Sequence, residues 1–154
     1  MQSIGPEVYR CEASISWDGK TGGSVKSRRF ELLFDMPEEF GGLGRSFCPD
    51  ELFLSAVGCC LITTFLSFKR RFNLTINRLN AKVEGEIKLL GSEGYRIKSI
   101  KVKLEASASE DEVNRVRRYL ELAKEYCHIT RSIEGCIPID VQIEVSSEQT
   151  PKKD

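Results

Sequence analysis

Apolar and polar residues alternate along several segments of the chain, and this two-residue period predicts β-strands. The alternation runs through residues 7–17, 78–89 and 100–106, with apolar side chains on one face of each segment. Residues 24–36 follow a glycine-rich turn and are predicted to form the returning strand of a hairpin. Residues 137–145 are predicted to form a last strand. One polar face on each strand is typical of antiparallel sheets that are half exposed to solvent.

Three further segments have the pattern of helices. The stretch CPDELFLSAVGCCLITTFLSFKRR, residues 48–71, is apolar on nearly all sides around its centre, which predicts a buried helix. Pro49 in its first turn and the cations at its end fit the start and the end of a helix. Residues 109–126 open with the capping box SEDE and continue with a helical apolar stripe. Residues 127–133 predict a short third helix.

Together these elements predict an α+β fold in the order ββ-α-ββ-α-α-β. Antiparallel sheets are expected to surround the central buried helix. A chain of 154 residues is long enough for one domain with a substantial core, and no internal repeat is visible. We therefore predict a single domain over residues 1–147, followed by a flexible C-terminal tail over residues 148–154.

The charge and composition of the chain limit which binding partners and which cellular compartment are expected. The formal net charge is zero, so no field is expected to attract nucleic acid or an anionic membrane. Charged residues flank the apolar stretch 52–68, so we predict no segment long enough to span a membrane. The start MQSIGPEVYR lacks the pattern of a secretory signal. The sequence therefore predicts a cytoplasmic protein that contacts neither nucleic acid nor membrane.

Six cysteines are a large number for a chain in a reducing compartment. There they are more typical of buried, metal-binding or catalytic residues than of structural disulfides. No CxxC motif occurs, so the spacings match no standard zinc site, and no metal is predicted. A metal site of different spacing stays open as an alternative, with the ligands Cys59, Cys127, His128 and Cys136.

Two of the cysteines, Cys59 and Cys60, lie side by side in the most apolar helix. Their side chains point about 100° apart on a helix, so at most one of them is expected to face a given site. We predict a core position for Cys59. His128 is the only histidine and directly follows Cys127, and a solvated or packing role is predicted for it. Structural roles are predicted for Cys11, Cys48 and Cys136.

Two motifs in this chain resemble those of the OsmC/Ohr proteins, which are thiol peroxidases acting on organic hydroperoxides. The segment CPDELFLSAVGCC is similar to a helix of this family. That helix has a proline and an acidic residue, followed by a short apolar run and a cysteine in its interior. The segment YCHITRSI is similar to the family's second-cysteine segment. The resemblance covers about residues 7–145. It implies an OsmC-like fold, an intertwined homodimer, no cofactor, and an external dithiol as reductant.

The resemblance also implies roles for individual residues. Cys60 matches the cysteine that attacks the peroxide, and Cys127 matches the cysteine that resolves the product. Asp50 stands where the peroxidases usually have a glutamate. The family's catalytic arginine normally precedes an Asp-Gly turn, where this chain has Trp17 in SWDGK. The candidates to replace its charge are Arg28, Arg29, Arg45 and Arg131.

The chemistry explains why such residues are needed. Only a thiolate attacks an O–O bond, and an apolar surrounding raises the pKa of a thiol. The resulting sulfenic acid must then meet a second thiol before it is oxidised further.

Asp50 and Cys60 are ten positions apart, about 15 Å along a continuous helix. Both can line one site only if the helix starts late or if Asp50 serves a neighbouring subunit, and we therefore predict a two-fold dimer.

The sequence thus predicts an enzyme that reduces organic hydroperoxides through Cys60 and Cys127. One alternative is a binding protein of the same fold, whose apolar cleft holds an acyl-type ligand. Trp17 at the arginine position favours that alternative. Another is a redox-sensing or disulfide-exchange protein that uses the same two thiols without peroxide.

Overall fold

The computed structural model describes residues 6–148. The chain divides into two compact units, Met1–Leu52 and Phe53–Asp154. The mixed content of helices and strands confirms the predicted α+β class. The observed order is βββ-α-ββ-α-α-β, one strand more than predicted.

The first unit is built on a three-stranded antiparallel sheet in the order β1-β2-β3. Its strands are β1 (Ser14–Trp17), β2 (Gly22–Ser27) and β3 (Phe30–Asp35). The prediction of one returning strand over residues 24–36 is wrong, because the chain reverses at Arg28, whose φ is 54°. The first predicted strand is also shorter than expected, since residues 7–13 have no partner strand within the described part of the chain.

The second unit contains a three-stranded sheet in the order β4-β5-β6. Its strands are β4 (Arg78–Leu89), β5 (Tyr95–Ala108) and β6 (Ile139–Ser147). β4 pairs antiparallel with β5, but β6 pairs parallel with β5. The prediction of purely antiparallel sheets is therefore wrong here. The crossover that a parallel pair requires is made by two helices.

These crossover helices are α2 (Val113–Tyr126) and α3 (His128–Ile133). The predicted capping box is not the start of α2. The carbonyl oxygen of Ser109 accepts the backbone N–H groups of Glu112 and Val113, and α2 begins at Val113. α3 agrees closely with the short helix predicted over residues 127–133. The apolar stripe of α2, including Val116, Leu120 and Ala123, is buried.

The long helix α1 (Pro49–Phe72) precedes the second sheet in the chain. Its start is fixed by the Glu51 carboxylate, which accepts the backbone N–H of Cys48 at 2.9 Å. Within the second unit it packs closely on β4: a Cβ atom on Gly58 would lie 2.8 Å from Cγ2 of Val83. Glycine at this position therefore permits the short distance between helix and strand.

α1 is buried along one side rather than on nearly all sides as predicted. Val57, Leu61 and Phe65 are fully buried, whereas Thr63 and Leu66 are exposed. By length and composition alone α1 could cross a membrane, so the prediction that no segment reaches that length is wrong. One such helix is weak evidence for a span, because core helices of soluble proteins have the same composition.

The predicted domain limits stay a prediction. At the C-terminal end, the backbone N–H of Glu148 donates to the carbonyl oxygen of Ala108 at 2.8 Å, which holds the first residue of the predicted tail against β5. The rest of that tail, residues 149–154, lies outside the described residues.

Candidate functional site

Two cysteines from separate elements meet inside the second unit. Cys60 lies in the middle of α1, and only 6% of its surface is exposed. Cys127 is the linking residue between α2 and α3 and is fully buried. The two thiols lie close enough that Cys127 raises the pKa of Cys60. The structure thus brings together sulfur atoms that are 67 positions apart in the chain.

Three further groups surround the sulfur of Cys60. The imidazole of His128 lies beside it, with Nδ1 at 3.5 Å and Nε2 at 3.8 Å from Sγ. The backbone N–H of Ile129 and the hydroxyl of Thr64 lie close enough to the sulfur to lower the pKa of the thiol, and the Thr64 hydroxyl donates to the carbonyl oxygen of Cys60 at 2.8 Å. Two of these groups come from the first residues of α3, which places α3 directly against the thiol.

These surroundings act on the pKa of Cys60 in opposite directions. Burial raises the pKa, and it is the largest influence. The Ile129 N–H and the Thr64 hydroxyl lower the pKa, whereas the neighbouring Cys127 raises it further. The net pKa lies above the ordinary value of a thiol, so at neutral pH Cys60 carries its proton. Nucleophilic chemistry at Cys60 therefore needs a group that accepts this proton.

His128 is the residue whose position the sequence analysis did not foresee. Its side chain is exposed, as the predicted solvated role requires, but its ring also contacts Cys60. The available signal was that the single histidine directly follows a cysteine that the pattern places at a helix start. Sequence adjacency to Cys127 did not reveal the contact with Cys60, because that contact depends on how α3 lies against α1.

Asp50 lies in the first turn of α1 and is half-buried. Since the helix begins at Pro49, a late helix start is ruled out, and about ten residues of continuous helix separate Asp50 from Cys60. Arg131 lies on α3 with an exposed side chain. No arginine is among the largest influences on the pKa of Cys60.

The other candidate arginines belong to the first unit. Arg28 and Arg29 lie at the turn between β2 and β3, with their guanidinium carbons 5.8 Å and 5.1 Å from the centre of the Phe30 ring. Both side chains are exposed. Their visible role is to pack on this aromatic ring.

Arg45 is held by two carboxylates of the first unit. Its Nε lies 2.6 Å from Oδ2 of Asp35, and its Nη2 lies 2.6 Å from Oδ2 of Asp18. The Asp35 side chain is fully buried and also accepts a hydrogen bond from the hydroxyl of Thr21 at 2.6 Å. The hydrogen bond from Arg45 holds the pKa of Asp35 well below its usual range. This geometry gives Arg45 a structural role in the first unit.

Trp17 ends β1, beside this cluster. Its indole Nε1 donates to the carbonyl oxygen of Lys20 at 2.7 Å, and 75% of the residue is exposed. Trp17, Phe34 and Arg45 line a cavity of about 380 Å³. The indole therefore offers an aromatic surface where the resembling peroxidases have a charge.

The remaining cysteines lie outside the thiol pair. All six cysteines are free thiols. Cys59 is exposed, so the prediction that it is a core residue is wrong: it points to the uncovered side of α1. Cys11 and Cys136 are exposed as well, and Cys48 is half-buried. Between residues 6 and 148 there is no group of three or more histidine, cysteine or acidic side chains placed to hold a metal.

Comparisons with known proteins agree with this fold. The chain is 29% identical over 136 residues to the uncharacterised protein YmaD of Bacillus subtilis strain 168, covering 85% of this chain and 89% of YmaD. An organic hydroperoxide resistance protein OsmC of Legionella pneumophila superposes with a TM-score of 0.66 at 22% identity, covering 92% of this chain and 99% of that one.

A second solved structure, an osmotic stress induced and detoxification response protein of Psychrobacter arcticus 273-4, gives a TM-score of 0.73 at 18% identity. It covers 86% of this chain and 94% of that one. The shared architecture is the OsmC fold, and proteins of this kind are cofactor-free thiol proteins. The family described as OsmC-like protein matches residues 42–142, which is well over half of the chain, and the chain therefore belongs to the OsmC-like family.

Proposed function

We propose that this protein is a thiol peroxidase that reduces organic hydroperoxides at Cys60 and resolves the product with Cys127. Its family and its organic hydroperoxide resistance neighbours support a role in redox chemistry or peroxide resistance. The observation that carries the finer proposal is that two buried thiols from separate elements lie close enough for Cys127 to raise the pKa of Cys60. Two neighbouring thiols can form a disulfide where their Cα atoms lie within about 7 Å of each other.

The chemistry of the proposed cycle balances in three steps. The thiolate of Cys60 attacks one peroxide oxygen, so that an S–O bond forms, the O–O bond breaks and the alcohol leaves as its alkoxide, which takes up a proton. The thiol of Cys127 then attacks the sulfenic acid, forming a disulfide and releasing water. An external dithiol reduces the disulfide by thiol–disulfide exchange and is itself oxidised. No metal, haem or flavin enters any step.

The proposal includes a homodimer in the cytoplasm. The first unit leaves many large apolar side chains open to solvent, and exposed apolar surface of this extent is typical of protein interfaces. These residues include Ile15, Trp17, Phe30, Leu33, Phe40 and Phe47. Asp50 lies too far from Cys60 along α1 for both to line one small site. We propose that it serves the site of the partner subunit. Sedimentation at micromolar concentration should give the mass of two chains.

The test of the peroxidase compares two adjacent cysteines on the same helix. Cys60→Ser should abolish the consumption of cumene hydroperoxide in the presence of a dithiol, because serine cannot act as the nucleophile. Cys59→Ser is the matched control: its side chain points to the uncovered side of α1, and this variant should keep the wild-type rate. A Cys60→Ser protein that still turns over peroxide would refute the proposal.

The alternative functions give different results in the same assay. A ligand-binding protein would show no peroxide turnover in wild type, and Cys60→Ser would keep its ligand affinity. A disulfide-exchange protein would exchange with a dithiol but would not consume peroxide. Both results would contradict the peroxidase.

A further inference from the structure

We propose that His128 is the proton-transfer group of the site, taking the thiol proton of Cys60 and delivering it to the departing alkoxide. This inference rests on the proposed peroxidase for its second half only. The first half, the proton transfer between Cys60 and His128, stands on the contact between their side chains. In the resembling peroxidases an arginine helps to hold the reactive cysteine as a thiolate; here a histidine would accept the thiol proton and then stabilise the thiolate as an imidazolium.

The geometry places the imidazole where a proton acceptor is needed. Nδ1 and Nε2 lie 3.5 Å and 3.8 Å from the sulfur, so either nitrogen can accept the S–H proton, depending on the tautomer. The backbone of His128 is held in α3, and its carbonyl oxygen accepts the hydroxyl of Ser132 at 2.7 Å. The ring is exposed while the sulfur is buried, which leaves the imidazole between the reacting atom and solvent.

The other groups around Cys60 do not accept its proton at neutral pH. The Ile129 N–H only donates, and Cys127 competes with Cys60 for the same proton and raises its pKa. Thr64 is an alcohol and not a base. Cys59 precedes Cys60 on α1, and Arg131, three residues beyond His128 on α3, is a permanent cation. Cys127 is the one ionisable side chain among the largest influences on the pKa of Cys60. Histidine is the side chain whose ordinary titration falls near neutral pH.

In the proposed reaction, the proton that leaves Cys60 ends on the alcohol product. The S–H bond of Cys60 breaks, its proton moves to a nitrogen of His128, and a thiolate–imidazolium pair forms. The thiolate forms the S–O bond as the O–O bond breaks. The imidazolium returns the proton to the alkoxide, so that Cys60 thiol and hydroperoxide become sulfenic acid and alcohol, with His128 neutral again.

The first test measures the thiol without any peroxide. Alkylation of Cys60 by iodoacetamide is followed as a function of pH by fragment-ion mass spectrometry, which locates the modified cysteine within the peptide that also carries Cys48 and Cys59. In His128→Asn the apparent pKa of Cys60 should rise by about one unit, with a roughly tenfold slower reaction at neutral pH. Glu134→Gln, at the exposed end of the same helix, is the control and should match wild type. Equal pH profiles in His128→Asn and Glu134→Gln would overturn the inference.

A second measurement does not depend on how well His128→Asn folds. His128 is the only histidine of the chain, so an untagged protein gives one histidine signal in its NMR spectrum. The titration curve of that signal should change in Cys60→Ser and stay unchanged in Cys59→Ser. Identical curves in all three proteins would also overturn the inference.

The two proposals fail in distinguishable ways. If the alkylation profile depends on His128 but no variant consumes peroxide, the Cys60–His128 pair stands and the peroxidase fails. If wild type consumes peroxide and His128→Asn does so with the same rate and pH profile, the peroxidase stands and the role of His128 fails.

Discussion

The two units of this chain bury opposite kinds of side chain. Among its described residues, the first unit buries the charged side chain of Asp35 and two glycines but no large apolar residue. The second unit buries an apolar cluster drawn mainly from α1, α2, β5 and β6, with half-buried residues of β4 and α3 packed against it, and both thiols of the candidate site lie in it. One unit is therefore ordered around an ion pair, and the other around hydrophobic contacts.

This difference in surroundings affects what Arg45 and Cys60 can do chemically. Arg45 is tied to two carboxylates, Asp35 through Nε and Asp18 through Nη2, which hold its charge within the first unit. Cys60 lies in apolar surroundings that hold its thiol protonated, so its reactivity depends on the few polar atoms that touch it. A charge buried with its partners stabilises a fold, whereas a thiol buried with a nearby base is available for reaction.

The largest effect on stability is expected from the apolar core. Leu61→Ala removes a fully buried side chain from α1 and should lower the free energy of unfolding by about 2–5 kcal/mol. Urea unfolding followed by helical circular dichroism measures this loss. Leu89→Ala, at the exposed end of β4, is the control and should change the value by less than about 0.5 kcal/mol. Equal losses in both variants would contradict the comparison.

A smaller effect is expected from Asp35→Asn, confined to the first unit. The amide removes the charge that Arg45 pairs with, but the Arg45 side chain is 40% exposed and stays partly hydrated. Because the folded pKa of Asp35 is lowered, its ionised form stabilises the fold above the ordinary carboxyl pKa. That stabilisation should be lost as the pH falls further, and Asp35→Asn should lack it at every pH.

Tryptophan fluorescence can follow this acid transition, since Trp17 is the only tryptophan and lies in the first unit. In wild type the signal should change at a pH below about 4, where carboxylates become protonated. Helical circular dichroism, which reports mainly on the second unit, should change less in the same range. Simultaneous and equal changes of both signals would mean that the ion pair does not act locally.

The smallest effect concerns a single hydroxyl. Thr64→Val removes a group that lowers the pKa of Cys60, so this pKa should rise by about one unit or less without a change of fold. Thr63→Val is the matched control: both threonines donate to the carbonyl oxygen of Cys60, but only Thr64 is among the groups that lower the pKa of its thiol. The pH dependence of Cys60 alkylation measures both. A larger shift in Thr63→Val would show that backbone geometry, and not the hydroxyl at the sulfur, sets the pKa.

Much of the second unit could be predicted from the sequence, because its patterns are periodic. The alternation over residues 78–89 gives β4 with the limits that the structure has. The prediction failed where the pattern carries no information on pairing: the parallel partnership of β5 and β6 depends on the crossover and not on the period of either strand. In the first unit the chain reverses at Arg28, a non-glycine residue with a positive φ, so no turn residue in the pattern indicates two strands there.

The candidate site could be predicted only in part. Cys60 and Cys127 are identified by the resemblance of their motifs and by the order of these motifs in the chain. That resemblance can be recognised without knowing the distance between the two residues. The contact of His128 with Cys60 depends on the placement of α3 against α1, and a six-residue helix has too few residues for its pattern to fix that placement. The exposure of Cys59 was missed because the uncovered side of α1 also carries apolar residues, such as Ala56 and Leu66.

The central claim is that peroxide joins the two buried thiols. The direct measurement is mass spectrometry of the purified protein before and after one equivalent of cumene hydroperoxide, with peptide mapping under non-reducing conditions. We predict the loss of two hydrogens per chain, mapped to a disulfide between Cys60 and Cys127, while the four other cysteines stay reduced. Six unmodified thiols after minutes of exposure, or oxidation confined to exposed cysteines such as Cys59, would contradict the account.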